Sequence, residues 1–344
     1  MRRYLVSFLG GLCTCLLGYG MLWADEVPDA LSGAAPALAM LNGVLVAAWT
    51  GDSSTQPHKV WYSSFNGSWT PQAVIPGALS TSAPALGAAG GHLYAAATPP
   101  ESNQEIYYYI SNGTVFESNG AALCDASTCA HTQASPALAG DGATLYAAWT
   151  TPAGAVSYGA LSNGVWKIAA IPNAVTNPTT GPTMTVYQNR LYVAWAAPSG
   201  TAVTVVSAPL PLSGNSWSAP IRIPVQTEAA PALGVFTFAT PTLTEALFLA
   251  WTTPNLNIEF ARWDSAAAQW VNSPSPVPLP TGPLTSYTPA LTSTISSCPS
   301  AAAELDAKAA APEDAAPDLA AKVIVGYTNP QQNITIFQTV HYCP

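Results

Sequence analysis

The stretch Ser135-Pro136-Ala137-Leu138-Ala139, followed by Leu145-Tyr146-Ala147-Ala148-Trp149-Thr150, decides the fold. Its first tetrad recurs as Ala35-Pro36-Ala37-Leu38, Ala83-Pro84-Ala85-Leu86, Gly181-Pro182-Thr183-Met184, Ala230-Pro231-Ala232-Leu233 and Thr288-Pro289-Ala290-Leu291. The prolines stand 48, 52, 46, 49 and 58 residues apart. Thirteen residues after the proline, four units close an apolar run with Trp49, Ala97, Trp149 and Trp195. The last two units delay that mark to Trp251 and Tyr327.

Outward from the tetrad, each unit continues alike. A short loop leads to a β-branched and aromatic run such as Lys59-Val60-Trp61-Tyr62 or Glu105-Ile106-Tyr107-Tyr108-Tyr109. A turn signal then precedes an aromatic residue, as in Asn66-Gly67-Ser68-Trp69 and Asn163-Gly164-Val165-Trp166. Asn-Gly favours a tight hairpin because both central positions need positive φ. The unit closes on Ile75-Pro76, Ile171-Pro172, Ile223-Pro224 or Leu279-Pro280. Four short strands per period of this length make a propeller blade. The spacing therefore predicts an all-β, six-bladed β-propeller of four-stranded antiparallel blades. The sixth unit lacks an outer strand, and Val27-Pro28-Asp29-Ala30-Leu31-Ser32 repeats the pattern of Ile75-Pro76-Gly77-Ala78-Leu79-Ser80. The N-terminal strand is thus expected to complete blade six and close the ring.

Two segments fall outside the repeat. Residues 297–322 form an Ala-rich insertion carrying five acids, read as a solvated loop. Residues 1–24 place Met1-Arg2-Arg3 ahead of an apolar run that ends at Ala24, the order of a cleaved export signal, with an uncleaved membrane anchor of about 20 residues as the alternative. The domain expected is then 25–344, secreted or periplasmic. Export makes disulfides the expectation for the remaining cysteines, paired Cys124–Cys129 and Cys298–Cys343. A zinc site on Cys124, Cys129 and His131 with Asp125 is the alternative, and it lacks a second cysteine pair.

Composition narrows the function classes. Only 8% of the 344 residues are charged, where about 25% is usual, and the net charge is −9. Nine cations against eighteen anions do not make a nucleic-acid surface. No later segment is long and apolar enough to span a membrane, so no membrane contact is expected once the signal is cut. No cofactor or metal motif is present, and with no HExxH or GxSxG no catalytic constellation assembles.

Function is expected on the rim with the long, varied loops. That rim carries Asp52, His58, Glu101, Asp125, His131 and Glu228, with Trp49, Trp149, Trp195 and Trp251 ending near it. Flat indole faces beside polar side chains suit sugar rings. The competing reading makes these tryptophans core, since Trp49 alternates with Leu45 and Ala47 on one strand face.

These repeats resemble those of bacterial sialidase-like (BNR-type) and lectin-like propellers, on the unit "SPALA…LYAAWT…VSYG…NGVW…IP". The resemblance implies a sugar-related ligand. The Asp-box survives only as Ser64-Phe65-Asn66-Gly67-Ser68-Trp69, and Arg190, Arg222 and Arg262 sit in slots that do not converge on one carboxylate. Sialidase activity is therefore not expected. The function expected is an exported, non-catalytic binding propeller for a glycan or a protein partner. The alternative is a glycoside hydrolase or lyase using the rim carboxylates.

Overall fold

The computed structural model describes residues 22–52, 58–100, 104–113, 115–116, 120–213, 216–227, 229–239, 243–273, 285–297, 319–329 and 334–342. Among them there is no helix, and hence none long and apolar enough to cross a membrane. The first strand, β1 (Leu22–Leu31), is taken up below with the sixth sheet, which it joins.

The first sheet runs β2 (Ala37–Leu41), β3 (Val44–Thr50), β4 (Lys59–Phe65) and β5 (Ala73–Leu79). The second holds β6 (Ala85–Ala89), β7 (His92–Ala97) and β8 (Tyr107–Asn112). Its outer edge is split into β9 (Val115–Phe116) and β10 (Ala121–Ala122), both paired to β8. The third comprises β11 (Ala137–Gly140), β12 (Leu145–Thr150), β13 (Ala155–Ser162) and β14 (Val165–Val175). The fourth comprises β15 (Thr183–Tyr187), β16 (Arg190–Ala196), β17 (Val203–Pro209) and β18 (Ile221–Ile223). The fifth comprises β19 (Ala232–Ala239), β20 (Leu243–Thr252), β21 (Ile258–Asp264) and β22 (Gln269–Ser273). The sixth has β23 (Ala290–Ser297), β24 (Leu319–Asn329) and β25 (Ile334–Tyr342), in the order β1-β25-β24-β23.

Every pairing between named strands is antiparallel. Each tetrad leads into the first strand of its sheet, and these strands touch in succession: β2 with β6, β6 with β11, β11 with β15, β15 with β19, β19 with β23, and β23 with β2. Gly140 lies so close to the Ala88 carbonyl that a Cβ there has no room. Only glycine permits this approach of second and third sheets.

The repeat seen at the N-terminus has a structural counterpart. Leu22 to Glu26 pair with Val340 to Ile336, the register then shifts, and Leu31 pairs with Ile334. The shift falls at Val27-Pro28-Asp29-Ala30, where proline cannot donate to the ladder. The same shift occurs at Ile75-Pro76-Gly77-Ala78 and Ile171-Pro172-Asn173-Ala174. In each case the residue before the proline and the alanine two after it are buried: Val27 and Ala30, Ile75 and Ala78, Ile171 and Ala174. The motif is therefore a bulge that turns two apolar side chains inward.

Two boundaries differ from the sequence reading. Strand β1 starts at Leu22, inside the segment read as a signal, because Leu22, Trp23 and Ala24 continue the ladder on β25. Strand β24 starts at Leu319, inside the segment read as insertion, because Leu319 to Lys322 pair with Ser297 to Thr294. The rest of that insertion, residues 1–21, and both Cys298 and Cys343 lie outside the described residues.

A set of buried hydroxyls joins neighbouring sheets, and the sequence reading missed it. Thr50, Thr150 and Thr252, each just after the marker tryptophan, donate to the carbonyls of Ser82, Thr180 and Tyr287 at 2.7, 2.7 and 2.8 Å. Each acceptor lies in the approach to the next sheet. The fourth unit has Ala196 at this place, and there Thr176 donates to the Ala196 carbonyl at 2.6 Å. Buried Ser32, Ser80, Thr132, Thr227 and Thr285 occupy matching positions before the other five tetrads.

Candidate functional site

A cavity of about 390 Å³ is lined by all six tetrads and the strands that follow them, and no ionisable side chain faces it. Acid–base chemistry at the axis therefore has no groups to use among the described residues.

The richer cavities lie in the wedges between sheets, near the long loops. The first, about 610 Å³, separates the outer edge of the fourth sheet from the face of the fifth. Its apolar wall is Trp251 with Trp270, and its polar groups include Arg222, Glu259, Asn255 and Asn272. Strand register explains the grouping. Trp251 on β20 stands opposite Glu259 on β21, and Ala261 stands opposite Asn272 on β22, so these side chains share one sheet face. The indole body of Trp251 is packed among Leu249, Ala261 and Val205, which fixes the aromatic wall. Arg222, Glu259 and Asn272 are exposed. The indole N–H groups of Trp251 and Trp270 have no hydrogen-bond partner.

A second cavity of about 620 Å³ occupies the preceding wedge, between β14 and the face of the fourth sheet. Trp195 and Trp217 take the places of Trp251 and Trp270, and the Trp217 N–H is likewise without a partner. Thr204, opposite Trp195 in register, stands where Glu259 stands in the next sheet. The same register position carries Trp61, Tyr107, Ser157 and Ile336 in the other sheets. Arg222 lines both wedges.

The residues singled out by sequence are spread around the molecule. Trp49 and Trp149 are 0% and 2% exposed and belong to apolar clusters, with Val27, Ala30 and Ile324 around the first and Trp166 and Ile106 beside the second. Trp195 and Trp251 are buried in their bodies yet line the two wedges. Asp52 donates its backbone N–H to the Leu31 carbonyl at 3.3 Å. The His58 ring, on a backbone with φ 64°, lies 3.2 Å from the Ser80 carbonyl through Nδ1. Asp125 and His131 are both in the second sheet's outer loop. None of these four lines a cavity described here. Glu101 and Glu228 lie outside the described residues.

Asp125 has a local task. Its Oδ1 accepts the backbone N–H groups of Ser127 and Thr128, both at 2.8 Å, and these hold its carboxyl below the usual carboxylate range. The loop it orders is closed by the Cys124–Cys129 disulfide, the pairing expected from sequence. With both sulfurs in that bond, the zinc alternative loses its two thiolates. What sequence reasoning missed is the polar set of the first wedge. In sequence Arg222 reads as part of a blade-closing strand, and Glu259 is found only by pairing β20 with β21.

These sheets and wedges define a propeller-type protein. No family model matches the sequence, and no curated protein matches it. Solved structures do share the fold. The fungal lectin of Aleuria aurantia, described as a six-bladed beta-propeller with a novel fucose recognition mode, matches with a TM-score of 0.58 at 12% identity, over 90% of this chain and 93% of its own. AofleA from Arthrobotrys oligospora matches with a TM-score of 0.61 at 11% identity, over 94% and 90%. A protein of unknown function from Dyadobacter fermentans matches with a TM-score of 0.53 at 13% identity, over 93% and 99%. At these identities the likeness is one of fold.

Proposed function

We propose that this chain is a closed six-bladed propeller that binds glycans without altering them. Closure is supported by the contact of β23 with β2 and by the place of β1 beside β25. The single observation that carries the function is the first wedge. There an aromatic wall of Trp251 and Trp270 faces Arg222, Glu259 and side-chain amides across about 610 Å³. Apolar sugar faces pack on indoles, while hydroxyls take hydrogen bonds from fixed polar groups, and the volume lies within the range of ligand sites. Among the described residues one carboxylate, Glu259, lines the wedge, and glycoside hydrolysis calls for two. The lectin-like side of the sequence resemblance agrees with the fucose recognition named for the Aleuria aurantia lectin.

Export belongs to the same reading. The apolar run ending at Ala24 directs secretion, and the Cys124–Cys129 disulfide suits an oxidising compartment. After cleavage the strand from Asp25 still pairs with β25 through Asp25, Glu26 and Leu31.

The test is a glycan array that includes fucosides, probed with the intact protein and the Trp270→Ala variant. Binding by the first and loss in the second, with the variant still folded by circular dichroism, supports the reading. No binding to any glycan overturns it.

A further inference from the structure

The two wedges are joined. A third cavity of about 450 Å³ lies on the long-loop rim at the end of the fourth sheet, and none of the described residues that line it is charged. It shares Ala197, Pro198 and Ser199 with the second wedge, and Gln226 and Pro254 with the first. The three spaces therefore form one track that rounds the outer end of the fourth sheet, with Arg222 common to both ends.

The ridge at the middle of the track is built rigidly. The loop 197–202 folds back on itself through Ala197 N–H to Ala202 O at 2.7 Å and Gly200 N–H to Ala197 O at 2.8 Å. Thr227 N–H then ties it to the Gly200 carbonyl at 3.0 Å. Gly200 has φ 68°, and a Cβ there would lie 3.0 Å from the Thr227 oxygen, so the close approach needs glycine. On this ridge the exposed hydroxyls of Ser199 and Thr201 stand 2.7 Å apart. A fixed hydroxyl pair on a preformed ridge costs a ligand little ordering.

We propose that the track holds an extended oligosaccharide, with sugar units in both wedges and the linking units over Ser199 and Thr201. The inference rests on the glycan reading of the first wedge. Each cavity alone is of ligand size, so a monosaccharide fills only one. The buried indole N–H groups of Trp251 and Trp270 behind one wedge, and of Trp217 behind the other, have no partner.

The experiment measures affinity against chain length. Ladders of neutral oligosaccharides, α- and β-linked and with or without a terminal fucose, run from monosaccharide to hexasaccharide and are titrated calorimetrically against the intact protein. The expected result is binding on the order of tenfold tighter for chains long enough to engage a second cavity than for the monosaccharide. Thr201→Trp and, separately, Asn177→Trp place an indole in the exposed middle cavity. Each should reduce the long chain's affinity to that of the short one and leave the short one unchanged. Affinity independent of length, or equal loss for short and long chains in a folded variant, overturns the track. Absence of binding at every length overturns the glycan reading itself.

Discussion

The hydroxyl of Thr328 donates to the carbonyl of Ala34 at 2.9 Å, across 294 positions of sequence. It is the counterpart in the sixth sheet of the bonds made by Thr50, Thr150 and Thr252, and it ties β24 to the approach of β2. A buried donor removed with its acceptor left in place costs about 1–3 kcal/mol. Thr328→Val should lower unfolding stability by that amount. Thr50→Val, measured in the same urea titration, should match it if all the sheet junctions are equivalent.

Glu259 is the carboxylate of the first wedge, opposite Trp251 in register. Glu259→Gln keeps the shape and removes the charge. A hydrogen bond to a charged group contributes about 1.5–3 kcal/mol. The variant should therefore weaken glycan binding at least about tenfold, with the melting temperature unchanged because the side chain is exposed. Calorimetry with the best array ligand measures this.

Gly140 and Gly113 separate two uses of glycine. A Cβ at Gly140 meets the Ala88 backbone, so Gly140→Ala should cost several kcal/mol or prevent folding, as overpacking against backbone does. At Gly113 nothing lies within 4 Å, but φ is 66°. Gly113→Ala should cost only about 1 kcal/mol, the strain of a left-handed alanine. Soluble yield and thermal melts distinguish the two.

Tyr146 and Asp141 set a pH dependence on the short-turn rim. Tyr146 donates to Asp141 Oδ2 at 2.8 Å. Burial, and then this bond, push the phenol from 10.0 up to about 12. Its contribution is complete below pH 10.0 and is lost as pH rises toward about 12. Burial pulls the Asp141 carboxyl upward, but the N–H groups of Thr144 and Ala143 and the Tyr146 hydroxyl outweigh it and leave it below 3.8. That contribution is present above pH 3.8 and fades as pH falls through the lowered value. Melting curves of Tyr146→Phe against pH should lose this residue's share of the alkaline decline and keep a weaker acid one.

The frame was legible because its signals are local and repeated. Tetrad prolines, Asn-Gly turns and alternating runs each specify backbone geometry, and the resemblance of 27–32 to 75–80 marks a bulge found in both places. The site was less legible because it is made by register. Trp251, Glu259 and Asn272 come from three strands, and nothing in their spacing says that they share a face. Arg222 reads in sequence as one more residue of a closing strand. Asp125 sits in a conspicuous loop, yet its carboxyl is used by its own backbone.

The position opposite each marker residue carries Trp61, Tyr107, Ser157, Thr204, Glu259 and Ile336, six side-chain types on one repeated scaffold. The copies have kept their skeleton and diversified at this position, which in the fourth and fifth sheets lines a wedge. A single codon at this position therefore alters the lining of one wedge while the repeated backbone around it stays the same.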